Sequence, residues 1–414
     1  MSPTRFADRH GAMPERAGAS RRLTALGVAL MALMPLAMWL ANRAAPLVFA
    51  LAAACILAAA VIAGDARGLT ARLRRLAASP PGLALAAFLV WTLVSILWSH
   101  QPAASLRVWG ELVLPIACAL TIAASGRFEP RPAWLRALAV AIVLACLLAM
   151  VELASGLSQR AALGIGKLMS FVFNRPAITA FVLAVPVIHG LWGLRRSDRI
   201  LAVVLALVVV TFALRSESAS ARLGVAVSAL CWGLALLRPR LTLAAAAAAF
   251  VLAMALAPVL GIAARAAMPA LILDRFAEMT GQARIDIWLS FGEAARARPM
   301  IGSGFGTSAA LHEHPVAAAV SPEHRLLLGA GHPHDMPLQA WVETGAIGAG
   351  LLVLAGLALL ARLGRLTPRE MAPRLALFTG AFAISAVGHG AWQGWWIAVL
   401  GAAILWFRQG EDHG

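Results

Sequence analysis

Twelve apolar runs are strung through this chain, and short connections rich in arginine separate them. They lie near 23–41, 44–63, 81–98, 108–125, 134–154, 176–194, 200–214, 223–237, 241–261, 339–361, 375–391 and 393–407. An α-helix needs about 20 apolar residues to cross the hydrocarbon core of a bilayer. Most of these runs reach that length with some tilt; 200–214, 223–237 and 393–407 are short. Backbone in lipid must satisfy its N–H and C=O groups internally, so each run is expected to be a helix. The expected fold is an all-α polytopic membrane protein of about a dozen transmembrane helices. Composition agrees, since 61% hydrophobic and 13% charged residues cannot cover the surface of a soluble protein of this length.

The net charge of +16 would suggest nucleic acid in a soluble chain. Here the arginines sit in the connections, where an excess of cations marks the cytoplasmic side. Twelve spans place both termini on one face. With that face cytoplasmic, the inner segments hold Arg5, Arg9, Arg16, Arg21, Arg22, Arg67, Arg72, Arg74 and Arg75. They also hold Arg127, Arg131, Arg136, Arg195, Arg196, Arg199, Arg238, Arg240, Arg362, Arg365, Arg369, Arg374 and Arg408. That is 22 of 35 basic residues. Apart from one long segment, the opposite face holds Arg43, Arg107, Arg160, Lys167, Arg175, Arg215 and Arg222. The asymmetry sets an orientation and gives no reason to expect a nucleic-acid partner.

The expected organisation is a cytoplasmic tail over 1–22, helices one to nine over 23–261, and a periplasmic segment over 262–338. Helices ten to twelve follow over 339–407, with a second cytoplasmic tail at 408–414. The long segment is polar, contains Pro and Gly, and has a helical pattern around 280–297. Connections of that length inside a compact chain are usually functional or disordered, and its aromatics favour order. Residues 1–22 are polar and Arg-rich with no A-x-A-like cleavage site after them, so no cleavable signal peptide is expected. Cys55, Cys118, Cys146 and Cys231 all fall in apolar runs, where thiols act as small packing residues; neither a disulfide nor a cysteine metal site is expected.

The outer segment carries Arg284-Ile-Asp-Ile-Trp288, then Arg298-Pro-Met-Ile-Gly302-Ser-Gly304-Phe-Gly306. It ends in His332-Pro-His334-Asp-Met-Pro-Leu-Gln339-Ala-Trp-Val-Glu343-Thr-Gly345. In order and spacing this resembles the superfamily of O-antigen ligases and O-antigen polymerases of bacterial surface-polysaccharide assembly. That family shows an arginine four residues before a tryptophan, a Pro-x-x-Gly-x-Gly turn, and His-Asn-x-x-Leu-Gln running into Glu-x-Gly. The chain departs from it at Asp335, which stands in place of Asn. A Ser-Arg pair at the outer end of an earlier helix is replaced by Arg215-Ser-Glu-Ser-Ala-Ser-Ala-Arg222. Either Arg215 or Arg222 is then the candidate for that arginine's role. Trp392-Gln393 and Trp395-Trp396 also resemble one branch of the family.

The resemblance implies a metal-independent glycosyltransferase of the bacterial inner membrane that needs no cofactor. It would move a glycan from undecaprenyl diphosphate to an acceptor hydroxyl, with membrane lipid around it. The acceptor would be lipid A-core for a ligase, or another glycan for a repeat-unit polymerase; the single modest outer segment favours the ligase. The chemistry suits the residue types. A departing diphosphate gathers negative charge, which a guanidinium fork meets bidentately, and more effectively where the dielectric is low. The acceptor hydroxyl needs a base, for which an imidazole is suited. His334 and Arg284 are therefore the expected catalytic residues, with Arg222, Arg215 and Arg284 on the diphosphate. His332, Glu343 and Trp288 are expected to contact substrate.

Plainer readings stand beside these. Arg215 and Arg222 flank helix ends, where snorkelling anchors are common. Glu343 could compensate a helix dipole. Trp392, Trp395 and Trp396 sit at a helix end and are expected mainly as interfacial anchors. The glycines 302, 304 and 306 follow no strand and precede no Lys-Ser/Thr, so they indicate a tight turn and not a nucleotide loop. His312, His314, His324, His332 and His334 raise a metal-dependent hydrolase, although helical HExxH spacing is missing. A transporter also fits the helix count, but its sites usually lie at mid-membrane, whereas Glu111, Glu152 and His189 lie near span ends.

Overall fold

The computed structural model describes residues 4–164, 168–267 and 281–408. It is 84% helical, and no strand occurs among the described residues. The chain is an all-α polytopic membrane protein. Its helices are α1 (Thr4–Leu40), α2 (Ala45–Ile62), α3 (Ala66–Ala77), α4 (Pro80–Ser95), α5 (Pro102–Ser125) and α6 (Pro132–Ala154). Next come α7 (Ser158–Ala162), α8 (Asn174–Trp192), α9 (Arg196–Arg215), α10 (Ala219–Leu237), α11 (Pro239–Leu256) and α12 (Leu260–Ala267). Then follow α13 (Gly281–Ala297), α14 (Pro322–Arg325), α15 (Met336–Leu363), α16 (Pro368–Val387) and α17 (Gly394–Trp406).

Every one of the twelve apolar runs lies on a helix, and among the described residues ten helices are long and apolar enough to cross a membrane. The other two are α16, whose first turns carry Arg369, Glu370 and Arg374, and α17, which has 13 residues. Helix starts follow local chemistry. Proline occupies the first turn of α4, α6, α11, α15 and α16, where its missing N–H costs nothing. Thr367 and Glu370 form a capping box at the start of α16.

The chain divides into two compact units. In the first, formed by 1–78, 114–225 and 394–414, α1 packs on α2 and α6, α8 on α9, and α17 on α2 and α8. Lipid is as apolar as leucine, so such helices gain from close packing more than from burial as such; α2 buries Ala45, Ala52, Ala53, Ala59 and Ala60. Polar contacts collect at two separate ends. At one, Arg72 binds Asp65 and the Ala124 carbonyl, Arg127 donates to Ser20 Oγ (3.1 Å), and Arg136 pairs with Asp198 (2.6 Å). Arg408 donates to Ala123 O at that end. At the other, Arg160 donates to Trp39 O (2.7 Å), Asn42 to Val172 O (3.1 Å) and Ser170 to Glu217. Within this unit, segments that the arginine count assigns to one compartment therefore share an end. Lys167 and residues 409–414, used in that count or in the domain boundaries, lie outside the described residues.

In the second unit, formed by 79–113 and 226–393, α4 packs along α15, and α11 touches both α15 and α16. One end is sealed by Cys231, Ala235, Leu360, Leu363, Met371, Ala372 and Leu375. The other carries the described part of the outer segment, 281–338, whose helix α13 lies where the pattern around 280–297 predicts one. This segment has a core of its own, in which Phe291, Ala294, Leu311, Val320 and Leu328 meet Leu338 and Val342 of α15. Where such a segment meets water the hydrophobic effect applies, and each fully buried Leu or Phe contributes about 1.5–3 kcal/mol.

Helix α15 breaks at Gly345, with φ 66° and ψ −169°. The loop Pro299–Gly306 fills the break. Ser303 N–H donates to Val342 O (2.7 Å), Gly304 N–H to Glu343 O (3.0 Å) and Ala346 N–H to Pro299 O (2.8 Å). A Cβ on Gly345 would stand 2.3 Å from the Met300 carbonyl, and one on Gly302 2.5 Å from the Glu343 carbonyl carbon. Both glycines also have positive φ, so the turn needs glycine twice over.

Candidate active site

Arg284 and Trp288 lie one helical turn apart on α13 and so share a face. Arg284 donates through Nη1 to the carbonyl of Val387, the last residue of α16. The next carbonyl, Gly388 O, lies 3.0 Å from His334 Nδ1. A helix C-terminus leaves carbonyls unpaired and carries partial negative charge, which accounts for its attraction of a guanidinium and an imidazole N–H. Trp288 Nε1 donates to Pro333 O (3.1 Å) and ties the His332–His334 turn to α13. Arg284 makes no ion pair among the described residues, so most of its five N–H donors remain for a ligand.

The imidazole tautomers follow from their partners. A carbonyl only accepts, so the proton of neutral His334 belongs on Nδ1 and the lone pair on Nε2. His334 backbone N–H donates to His332 Nδ1 (3.2 Å), so His332 carries its proton on Nε2. The two rings are 4.1 Å apart. His332 is pushed down to about 4 by burial, then by the nearby charges of His334, His389 and Arg284. His334 is also held below the usual imidazole range by burial; the Gly388 carbonyl opposes this, and Arg284 adds to it. Both rings are neutral at pH 7. His334 also has φ 54°, a left-handed conformation uncommon for a side-chain-bearing residue, and it lies at the candidate site.

Asp335 caps α15 by accepting from Leu338 N–H (2.7 Å). Burial raises its carboxyl to about 7, opposed by that hydrogen bond. Below that pH it is a neutral group, as is the asparagine of the family pattern. Gln339 accepts from Ala391 N–H (2.9 Å) and donates to Glu343 Oε1 (2.9 Å).

Not every expected residue lies open to substrate. Glu343 is 0% exposed. Its carboxylate accepts from Gly306 N–H (2.7 Å), Trp392 Nε1–H (2.8 Å), Gln339 and, at 3.4 Å, Ser308 N–H. It braces the glycine loop against α15. Trp288 has its one polar atom occupied by Pro333 O and packs against the apolar core of the segment, so it too acts as a support. The interfacial reading of the tryptophans is corrected. Trp392, Trp395 and Trp396 are 6%, 4% and 2% exposed and lie inside protein. Trp392 stacks between Phe88 (5.6 Å) and Phe305 (5.3 Å), and Arg175 sits 5.4 Å from the Trp395 ring centre.

Arg215 and Arg222 belong to the first unit, on the last turn of α9 and the first of α10. Both are exposed, and neither forms an ion pair among the described residues. The turn between them is fixed by Ser216 and Ser218, whose hydroxyls accept from Ser218 N–H (3.3 Å) and Ala221 N–H (3.1 Å). The five-histidine reading disperses: His324 pairs with Glu293 (2.7 Å), His314 Nδ1 accepts from Val316 N–H (2.9 Å), and His312 faces Glu313 (3.6 Å). No cluster of three or more His, Cys, Asp and Glu suited to a metal occurs among the described residues. His389, which the motif reading passed over, lies near enough to His332 to affect its charge. It stands 57 residues from His332 in the chain (389 minus 332), so only the fold reveals it.

Residues 202–353 match the family model described as O-antigen ligase. The match supports membership of the O-antigen ligase-like superfamily. It takes in Arg215, Arg222, Arg284, Trp288, His332, His334 and Glu343. That family suggests a ligase- or polymerase-like enzyme with glycan and lipid-linked substrates in general. No curated protein matches the chain.

Proposed function

We propose that this O-antigen ligase-like protein transfers a glycan from a polyprenyl diphosphate, undecaprenyl diphosphate in bacteria, to an acceptor hydroxyl. The reaction takes place at the periplasmic face of the inner membrane, with both termini cytoplasmic. The observation that carries this reading is the pairing of Arg284 and His334 on the adjacent carbonyls of Val387 and Gly388. That arrangement turns a neutral imidazole with a free Nε2 and a guanidinium with spare donors toward one locality.

The step balances with these groups alone. The acceptor O–H passes its proton to His334 Nε2 as its oxygen bonds to the anomeric carbon. The bond from that carbon to the diphosphate oxygen breaks, and the electron pair leaves with the diphosphate. Arg284 neutralises the charge that builds there, and the resemblance makes Arg215 or Arg222 the candidate for a further contact with the lipid-linked donor. The imidazolium then releases its proton to solvent. His332 is assigned to contact the substrate. Because arginines supply the positive charge, transfer is expected to continue in EDTA.

The acceptor assigned here is lipid A-core, which makes the enzyme a ligase. A gel of surface glycans from a deletion strain tests this. Lipid-linked polymer with unsubstituted core supports the ligase, and single-repeat products without long chains indicate a polymerase. A normal ladder contradicts both.

A further inference from the structure

A cavity in the same unit is lined by none of the residues of the His332–His334 turn. It has a volume of about 530 Å³ and is lined by Trp98, His100, Arg298 and His314, with Pro315 and Val316 on its apolar wall. That volume falls within the roughly 300–1,000 Å³ of small-molecule pockets. Trp98 and His100 follow the outer end of α4, and Arg298 and His314 belong to the outer segment. The cavity is linked to the first site through α15. His314 bonds the backbone of Ser303, Ser303 N–H donates to Val342 O (2.7 Å), and Gly306 N–H donates to Glu343 (2.7 Å).

Its polar groups are provided for unequally. His100 Nε2 is bonded at 3.0 Å to Ala310 O, and the His100 and His314 rings meet edge-on at 5.1 Å. In contrast, His100 Nδ1 and Trp98 Nε1 are buried and have no hydrogen-bond partner among the described residues. Buried polar atoms are nearly always paired, so two orphans beside one cavity call for an explanation. The Arg298 guanidinium has no carboxylate partner among the described residues; its contact is His314 Nε2 at 3.4 Å. The adjacent Glu313 carboxylate is instead held by Gln101 Nε2 (2.7 Å) and faces His312. Cation, indole face, ring nitrogens and an apolar wall are the groups a charged sugar needs. The guanidinium takes the anion bidentately, and the indole face takes the sugar's C–H face.

We propose that this cavity is a second glycan subsite, which binds a saccharide unit bearing a carboxylate or phosphate on Arg298 with its ring against Trp98. The identification of the ligand as glycan rests on the transfer reaction above. The site would select acidic acceptor or donor units before they reach His334.

The test is binding to the purified full-length protein in nanodiscs, measured by saturation-transfer NMR with glucuronate, glucose 6-phosphate and glucose. The wild type should bind at least one anionic sugar roughly tenfold more tightly than glucose, the scale of a charge-assisted hydrogen bond. Comparing the two anionic sugars tells carboxylate from phosphate. Arg298→Gln should abolish the preference, Arg298→Lys should keep part of it, and Trp98→Ala should weaken all three ligands. Melting temperatures near that of the wild type certify that the variants are folded. Equal binding of glucose and both anions by the wild type, or an undiminished preference in Arg298→Gln, would overturn the proposal. His334→Asn should leave these affinities unchanged. If His334→Asn retains transfer while the Arg298-dependent preference holds, the catalytic reading fails and the subsite stands.

Discussion

Arg284 and His334, 50 residues apart in sequence (334 minus 284), are hydrogen-bonded to the consecutive carbonyls of Val387 and Gly388 at the end of α16. A helix terminus thus sets two side chains from one long segment into a fixed relation. The carbonyl at Gly388 decides which nitrogen of His334 keeps a lone pair, and burial, with Arg284 beside it, keeps the ring neutral.

The pH profile of transfer follows from this. A base works only when neutral, and His334 is held below the ordinary imidazole pKa by burial and Arg284. Activity should therefore persist as pH falls through 6.5 and decline only at lower values. Rate measurements between pH 4.5 and 8 check this; an acid limb centred above 6.5 would be inconsistent with it.

Asp335→Asn should change stability in a pH-dependent manner. The carboxyl is raised to about 7 in the folded protein, from near 3.9 in the unfolded chain. The folded state thus binds the extra proton between those values, and stability falls as pH rises from about 4 to 7. At most this amounts to about 4 kcal/mol, from three pKa units at 1.36 kcal/mol each. Asn caps a helix as well as Asp does, so Asp335→Asn should melt higher than the wild type at pH 8, with the difference shrinking as pH falls and vanishing near pH 4.

Gly345→Ala should disrupt the break in α15. Its φ of 66° with ψ −169° is a conformation essentially confined to glycine and costs an L-residue about 1–3 kcal/mol, and the added Cβ would overlap the Met300 carbonyl. The expected result is a lower melting temperature and loss of transfer, because the loop that Glu343 holds is displaced. Thermal denaturation in detergent measures the first effect.

Much of this was legible in the residues. Apolar runs separated by arginines marked the helices, since lipid leaves few other backbone solutions. The Arg284–Trp288 spacing and the His332–Gly345 stretch singled out residues that the fold brings together at the end of α16. What spacing alone could not show was partnership across the fold. Glu343 looked like a substrate contact at a helix start, yet it faces inward to four donors from the glycine loop, α15 and Trp392. Trp392 looked interfacial because it follows a helix, yet Phe88 and Phe305 enclose it. His389 and the break at Gly345 depend on long-range packing, on which local periodicity is silent.

Arg215→Ala and Arg222→Ala should weaken use of the lipid-linked donor. Both side chains are exposed and unpaired among the described residues, so little stability should be lost, within about 0.5 kcal/mol. The expected kinetic change is a KM for donor raised roughly tenfold for whichever arginine holds the diphosphate. Steady-state assays with varied donor separate this from an effect on kcat.

The most direct test of the central claim is transfer by purified His334→Asn with a polyprenyl-diphosphate glycan and a hydroxyl acceptor. Asn accepts the left-handed backbone at this position, so the protein should fold while losing its base. The account predicts a rate lower by about 10²–10⁴ with an unchanged melting temperature. Transfer by the folded variant at close to the wild-type rate would contradict it.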